Sequence, residues 1–513
     1  MLIASAARGQ GQALPLQFCN ALLIMSEETT GGRRRVVVIG AGVSGLAAAH
    51  RLVETCGVAQ LEVLLLEASS RPGGTLRTER REGFLLEGGP DAFLSEKPAA
   101  LELARRIGLG PRLIETNEAH RRSFVARGNR LHPTPEGFQL LAPSRLWPLV
   151  TSGIFSWRGK ARMAFDLLLP RRNTHDAEAD ESLADFVRRR LGREALERMA
   201  QPMVGGIYTA DPELLSLRAT MPRFLEMERA HRSLILAMRR AARARTAQEH
   251  PSRRGAASGA RYGLFLSFDS GMQTLTDALA ARLPAGALRL DTRADALSFD
   301  PRAHQWAVRT HAGEELRAHG VVVALPAHSA ARLLREIDAE LAAELESIPY
   351  ASTATVNLAY RREDVPHPLD GFGFVVPAAE RRAILACSFS SVKFAGRAPA
   401  GCVLLRAFVG GALQPAMFEL DDERMTEAVR RDLRDLLGVE RAPLFSRVER
   451  WPRSMPQYHV GHLARVARVR KRLRSLPALR LCSNAYEGAG VPDCVRGGEQ
   501  AADELAASLR AIS

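Results

Sequence analysis

The sequence predicts an α/β chain built on a discontinuous Rossmann-type dinucleotide-binding domain, with a strand-rich second domain and a helical third. Three observations carry this. RRRVVVIGAGVSGLAAAHRL places an apolar run, a Gly-rich turn and a helix in succession near the start. LEVLLLEA adds a second apolar run that ends on Glu67, about twenty residues beyond the last glycine of that turn. Far downstream, VVVALP is a third such run, stopped by Pro326.

Val36–Ile39 reads as a fully buried parallel strand, because it is short, continuously apolar and ended by glycine. Gly40, Gly42 and Gly45 then have the GxGxxG spacing: one for the tight turn, one for close approach of a pyrophosphate, one for helix-on-strand packing. The helix from Ser44 to about Leu52 points its free N–H groups at the phosphates, with Ala41 and Val43 inside the same turn. Glu67 stands where a carboxylate accepts both hydrogen bonds of a ribose diol. The RPGGTLRT segment that follows, with Arg71, Gly73, Gly74 and Thr75, extends the fingerprint and favours FAD over NAD as the cofactor.

With 513 residues, 46% hydrophobic and 25% charged, the chain has the composition of an ordinary globular protein of several domains. The net charge of +14 is compatible with nucleic acid, anionic lipid or an anionic small substrate. No RNA-binding motif accompanies the charge, so nucleic acid is not expected as a partner. Six cysteines without a CxxC or a regular framework suit a reducing cytoplasm, and no Cys/His cluster suggests a metal.

Further along, FLLEGGPDAFLSEKP gives a strand and a Gly-Pro loop, and SFVARGNRLHPTP a β-hairpin around Gly128. From Ser144 to about Arg240 the pattern is helical. Trp147, Phe155, Trp157 and Phe165 alternate there with Arg145, Arg158, Lys160 and Arg162, which suits either a helix at a membrane interface or a subdomain packed on its neighbours. Residues 240–261 are small, basic and aperiodic and read as a flexible loop; 1–32 read as a leader, expected to be disordered. The strands TATVNLAY and CVLLRAFVGG and the loop DGFGFVVP belong to the second domain. The chain closes with a strand, a Gly-rich loop and a helix in LRLCSNAYEGAGVPDCVRGGEQAADELAASL.

The blocks GGPDAFLSEKP, MERAHRSLILA, DGFGFVVP, RWPRSMPQYHVGHL and NAYEGAGVPDCVRGGEQAA resemble the oxygen-dependent protoporphyrinogen oxidase family, several of them its myxobacterial branch, within the amine-oxidase-like flavoproteins. The resemblance runs from Arg33 to Leu509. It implies an FAD domain from 33–104, 262–328 and 448–513, a substrate domain from 105–143, 205–240 and 329–447, and a helical domain at 144–204. For the cofactor it implies Gly40 to Gly45, Glu67, Arg71, Gly74, Thr75, Gly89, Pro90, Asp91, Ala92, Ala294, Trp451, Ala489, Gly490 and Val491. For the substrate it implies Phe372, Gly373, Val375 and Arg122, with Phe374 in the same apolar wall. Asp91 stands where some relatives have an arginine that pairs a propionate.

The activity implied is six-electron aromatisation of protoporphyrinogen IX to protoporphyrin IX in heme biosynthesis. O₂ is the acceptor, peroxide is released, and no catalytic side chain is assigned. The alternative is coproporphyrinogen III oxidation to coproporphyrin III. An amine or carotenoid-precursor oxidase of the same fold, and a non-catalytic nucleic-acid-binding flavoprotein, rank below. The expected location is cytoplasmic; peripheral contact with the cytoplasmic face of the inner membrane and a homodimer stay open.

Overall fold

A computed structural model describes residues 33–139, 141–145, 147–172, 180–248 and 265–511. The apolar runs at Arg34–Ile39, Leu61–Leu66 and Gly320–Val323 lie side by side in one five-stranded sheet, flanked by Leu288–Arg289 at one edge and Leu479–Leu481 at the other. Every pairing in it is parallel, and Val36 to Ile39 are matched with Gly320 to Val323. The sheet is buried on both faces along Val36–Ile39, Val63–Leu66 and Val321–Val323, so these stretches are continuously apolar rather than alternating. On one face lie the helices Val43–Cys56, Ala99–Arg106, Gln273–Ala280 and Val491–Ala511. The other carries the antiparallel meander Ala294–Asp300, Gln305–Thr310 and Glu315–Ala318, with helix Ala327–Leu334.

A second, seven-stranded sheet runs Phe445–Pro456, Tyr350–Arg361, Cys402–Gly410, Ala386–Phe389, Gly373–Val375, Phe124–Arg127 and Arg130–Pro133 in spatial order. The last two strands are the hairpin expected around Gly128, whose φ of +58° suits the turn. One face of this sheet packs on the amphipathic helix Asp422–Leu437 through Met425, Val429 and Leu433.

The structure differs from the sequence-based boundaries in three places. Phe445–Pro456 crosses the expected limit at 448 and pairs with Tyr350–Arg361 as far as Pro456, because its hydrogen bonds lie in the second sheet. The limit at 204 cuts one apolar core: Leu149, Phe186 and Met199 pack in the same cluster as Leu215, Phe224 and Met238. Helix Leu234–Gln248 continues through the first part of the loop expected at 241–261. The remainder of that loop and the 1–32 leader lie outside the described residues.

Candidate functional site

The two sheets meet at the C-terminal ends of the parallel strands, where a doubly wound fold holds its ligand. Gly42 precedes the helix Val43–Cys56 in an extended conformation, and a Cβ built on it would meet nothing within 4 Å. Gly45 is the reverse case: its Cβ would stand 1.9 Å from the Gly40 carbonyl oxygen. Gly73 pairs with Gly42 in a parallel bridge and donates its N–H to Ala41 at 2.8 Å, while a Cβ on Gly74 would lie 3.3 Å from the Gly42 Cα. On Gly89, a Cβ would strike the Thr75 carbonyl at 1.8 Å. Gly42, Gly74, Thr75 and Gly89 thus form a strip of bare backbone beginning at a helix N-terminus, a cradle suited to a pyrophosphate and a flat ring.

Glu67 ends its strand beside this strip. Its carboxylate accepts the Ala41 N–H at 2.8 Å and the Ser69 N–H and hydroxyl at 2.9 and 2.7 Å, which ties the second strand to the glycine turn. Ala294 opens the meander two residues after Thr292, whose N–H donates to the Glu67 carbonyl at 2.7 Å. Arg71 directs its guanidinium to carbonyls of its own loop, Pro72 at 3.0 Å and Gly74 at 2.5 Å, and so fastens the loop. Ala489 and Gly490 lead into helix Val491–Ala511, whose Gly498 lies against Ser44; a Cβ there would be 2.2 Å from the Ser44 carbonyl oxygen. Lys97 pairs with Asp493 at 2.5 Å and links that helix start to the Gly-Pro loop.

The register of the second sheet shows what lies opposite. Gly373, Ser388, Arg406 and Asn357 are direct partners across four strands, and Val375, Ala386, Phe408 and Thr355 form the next row on the same face. At one end this face is nailed to the cradle. Asn357 donates to the Glu87 carbonyl at 3.3 Å, Thr355 and Trp451 donate to that of Gly88 at 2.9 and 2.8 Å, and Arg406 donates to that of Gly89. Trp451 therefore reaches the cofactor region from the second sheet. At the other end, Gly206 of helix Gln201–Tyr208 sits over Val375 and Ala386; a Cβ there would be 3.7 and 3.9 Å from them. Between these anchors Ser388 and Phe408 are half-buried, while their neighbours along the same strands are buried. Neither residue was expected from sequence.

Phe374 corrects the apolar wall: it points to the opposite face, into the core with Phe389 at 6.0 Å, because alternate strand residues face opposite sides. Phe372 is buried beside Arg122, whose carbonyl accepts its N–H at 2.8 Å. Gly373 has a φ of +139°, and a Cβ there would be 2.0 Å from the Cys387 carbonyl, so only glycine fits. Arg122 itself is held by Asp370, to whose carbonyl oxygen it donates at 2.7 Å and with whose carboxylate it pairs.

Pro90 carries the chain from Gly89 to Asp91, which does not stand free as a substrate ligand. Lys393 pairs with its carboxylate at 2.8 Å, Arg406 lies at 4.0 Å, and Ser267 donates to its carbonyl at 2.8 Å; Ala92 follows. Burial alone would raise the Asp91 pKa, yet the charges of Lys393 and Arg406 hold it below the usual carboxylate range. Behind it, burial pushes Glu87 up to about 7, although it accepts the Met272 N–H and the Thr78 hydroxyl at 2.8 and 2.9 Å. His462, in the segment after Trp451, is a core residue stacked on Tyr458 at 4.3 Å, its pKa lowered by burial to about 4.

Comparison with known proteins places this geometry. Residues 43–506 match the family model for flavin containing amine oxidoreductase. A coproporphyrinogen III oxidase from Bacillus subtilis (strain 168) is 35% identical over 92% of this chain and 98% of its own length. The chloroplastic protoporphyrinogen oxidase of Nicotiana tabacum is 30% identical over 92% of this chain and 85% of its own length. A solved structure from Exiguobacterium sp. 255-15 superposes with a TM-score of 0.81 at 31% identity, covering 93% of this chain and 99% of that one. The cofactor is FAD, whose shape the glycine strip accommodates. The chain belongs to the flavin-containing amine oxidoreductases and, among them, to the porphyrinogen oxidases.

Proposed function

We propose that this protein oxidises coproporphyrinogen III to coproporphyrin III with O₂ as acceptor, in preference to the protoporphyrinogen IX reaction favoured by the sequence motifs. The observation that carries the reading is similarity over nearly the whole chain: 35% identity to a coproporphyrinogen III oxidase against 30% to a chloroplastic protoporphyrinogen oxidase. The site supports it. An apolar wall of Phe372, Phe374 and Val375 would favour the vinyl groups of protoporphyrinogen IX, but Phe374 lies in the core and Ser388 is half-buried on the same face as Val375. A pocket that must reject two extra propionates would leave them buried and unpaired, at a cost of several kcal/mol.

On this reading the flavin lies along Gly42, Gly74, Thr75 and Gly89 to Ala92, with Trp451 and Gly490 closing its ends. Bound FAD accepts hydride from carbon and passes the electrons to O₂. The chain's part is to hold the tetrapyrrole over Val375, Ser388 and Phe408, against Phe372, and to keep water out. Steady-state kcat/KM on both porphyrinogens, for wild type and Arg122→Ala, tests the assignment. A preference for coproporphyrinogen III of tenfold or more is expected, and a tenfold preference for protoporphyrinogen IX overturns it. Because Asp370 already engages Arg122, Arg122→Ala should change the ratio of the two kcat/KM values less than threefold.

We also propose that the helical part rests on an anionic leaflet. Trp157, Ala161, Ala164, Phe165 and Leu168 recur at helical spacing and are all exposed, Trp157 at 71% and Leu168 at 68%. Trp147 is 76% exposed nearby, and Lys160 lies 4.4 Å from the Trp157 ring. An apolar stripe rimmed by cations suits an interface rather than bulk water. No helix among the described residues is long and apolar enough to cross a membrane.

A further inference from the structure

The ion network at Asp91 has a geometry that packing alone does not call for. Arg406 lies in the middle of an apolar strand and is 3% exposed; its guanidinium donates to the Gly89 carbonyl and lies 4.0 Å from Asp91. Its Nε has no partner, nor has the Oδ1 of Asn357, the residue directly opposite on the next strand. Lys393 arrives from the short helix Ser390–Lys393, 12% exposed, with Phe265 and Phe394 rings each 5.2 Å from its Nζ. Lys393 and Arg406 thus bring two positive charges to the Asp91 carboxylate, with buried Arg397 behind Ser267 a further cation, in surroundings that screen them poorly. Lys393 holds the Asp91 carboxylate and Arg406 fastens the Gly89 carbonyl, and both cations bring their charge to the same segment.

We propose that Asp91, Lys393 and Arg406 form a buried charge triad that sets the reduction potential of the flavin held against Gly89–Ala92, the two cations raising it and Asp91 lowering it. The inference rests on the reading that this segment lines the flavin. Two-electron reduction with uptake of one proton leaves the ring with one negative charge, so a net positive neighbour favours the reduced form. The excess over neutrality within the triad is one charge, because the Lys393 and Arg406 charges keep Asp91 ionised despite its burial. Removing Asp91 would leave two uncompensated cations; removing Lys393 would leave a neutral pair. The two changes therefore carry opposite signs, which a purely structural disturbance of the loop does not produce.

The test is a redox titration of the FAD-loaded wild type, Asp91→Asn, Lys393→Met and the double variant, all at one pH because Glu87 titrates near 7. Asp91→Asn should shift the reduction equilibrium at least tenfold toward reduced flavin and Lys393→Met at least tenfold away from it, each about 30 mV for a two-electron couple. The double variant should return to near the wild-type potential. If Asp91→Asn takes up no FAD, the step from Lys393→Met to the double variant reports the same contribution. Shifts of equal sign, or unmoved potentials in loaded protein, overturn this inference alone. A wild-type protein that takes up no FAD overturns the proposed function and this inference with it.

Discussion

Gly45 faces the carbonyl oxygen of Gly40 so closely that a methyl group on it would stand 1.9 Å away, whereas one on Gly42 would touch no protein atom within 4 Å. The first glycine is required by the fold and the second by what the fold holds. Gly45→Ala should lower the melting temperature of the apoprotein and abolish FAD uptake together. Gly42→Ala should leave the apoprotein melting temperature within about 2 °C, since its extended backbone suits alanine, yet weaken FAD binding at least tenfold. Calorimetry of the apoprotein and titration with FAD separate the two.

Glu87 gives stability a pH dependence of defined sign. Burial raises its folded pKa from 4.5 to about 7, so between these values the folded state holds a proton that the unfolded chain has lost. Its contribution is therefore complete below pH 4.5, falls as pH rises, and is gone above about 7, a change on the order of 3 kcal/mol. In Glu87→Gln this fall should be absent, which urea unfolding curves at a series of pH values would show. A wild-type curve that rises over this interval after subtraction of the variant would remove the account.

Arg190 and Asp166 are both wholly buried, and the pair anchors the inner side of the segment that carries the exposed stripe. Arg190 Nε donates to Asp166 at 2.7 Å, while Ser233 and the Ile235 N–H satisfy the second carboxylate oxygen at 2.6 and 3.1 Å. Asp166→Ala removes the nearer carboxylate of a buried guanidinium, leaving only Glu228 at 3.5 Å to pair it, and should destabilise the protein by about 3 kcal/mol in chemical denaturation. Replacing both residues by apolar ones of similar volume should cost far less than the single change.

Trp147 and Trp157 bear on the membrane proposal. The double variant Trp147→Ala/Trp157→Ala should lose most of its sedimentation with anionic vesicles and keep its FAD content. Undiminished sedimentation would show that this surface is not the anchor.

Much of the fold was legible because its signals are local. The apolar run before Gly40, the run ending at Glu67 and the run at Val321 each read as buried parallel strands, and the parallel sheet joins all three. The gap between the two sheets was less legible. Phe374 looked like a wall residue because it lies between Gly373 and Val375, and only strand alternation with known register turns it into the core. Arg406 does carry a local signal, as the one charged residue inside an otherwise apolar strand. A buried polar group requires a partner, but the chain alone does not say which one.

By itself the sequence determined the glycine turn, the acid ending the second strand and hence the class of cofactor, because each depends on contacts within one βαβ unit. The tertiary structure decided what faces the cofactor. Ser388 and Phe408 come to one face of the sheet only when four strands align, and Asp91 becomes an internal counter-ion only when Lys393 and Arg406 come to it from about three hundred residues away. Spacing along the chain encodes the periodicity of a helix or strand; it does not encode which strands become neighbours, and the charge environment of Gly89–Ala92 depends on that.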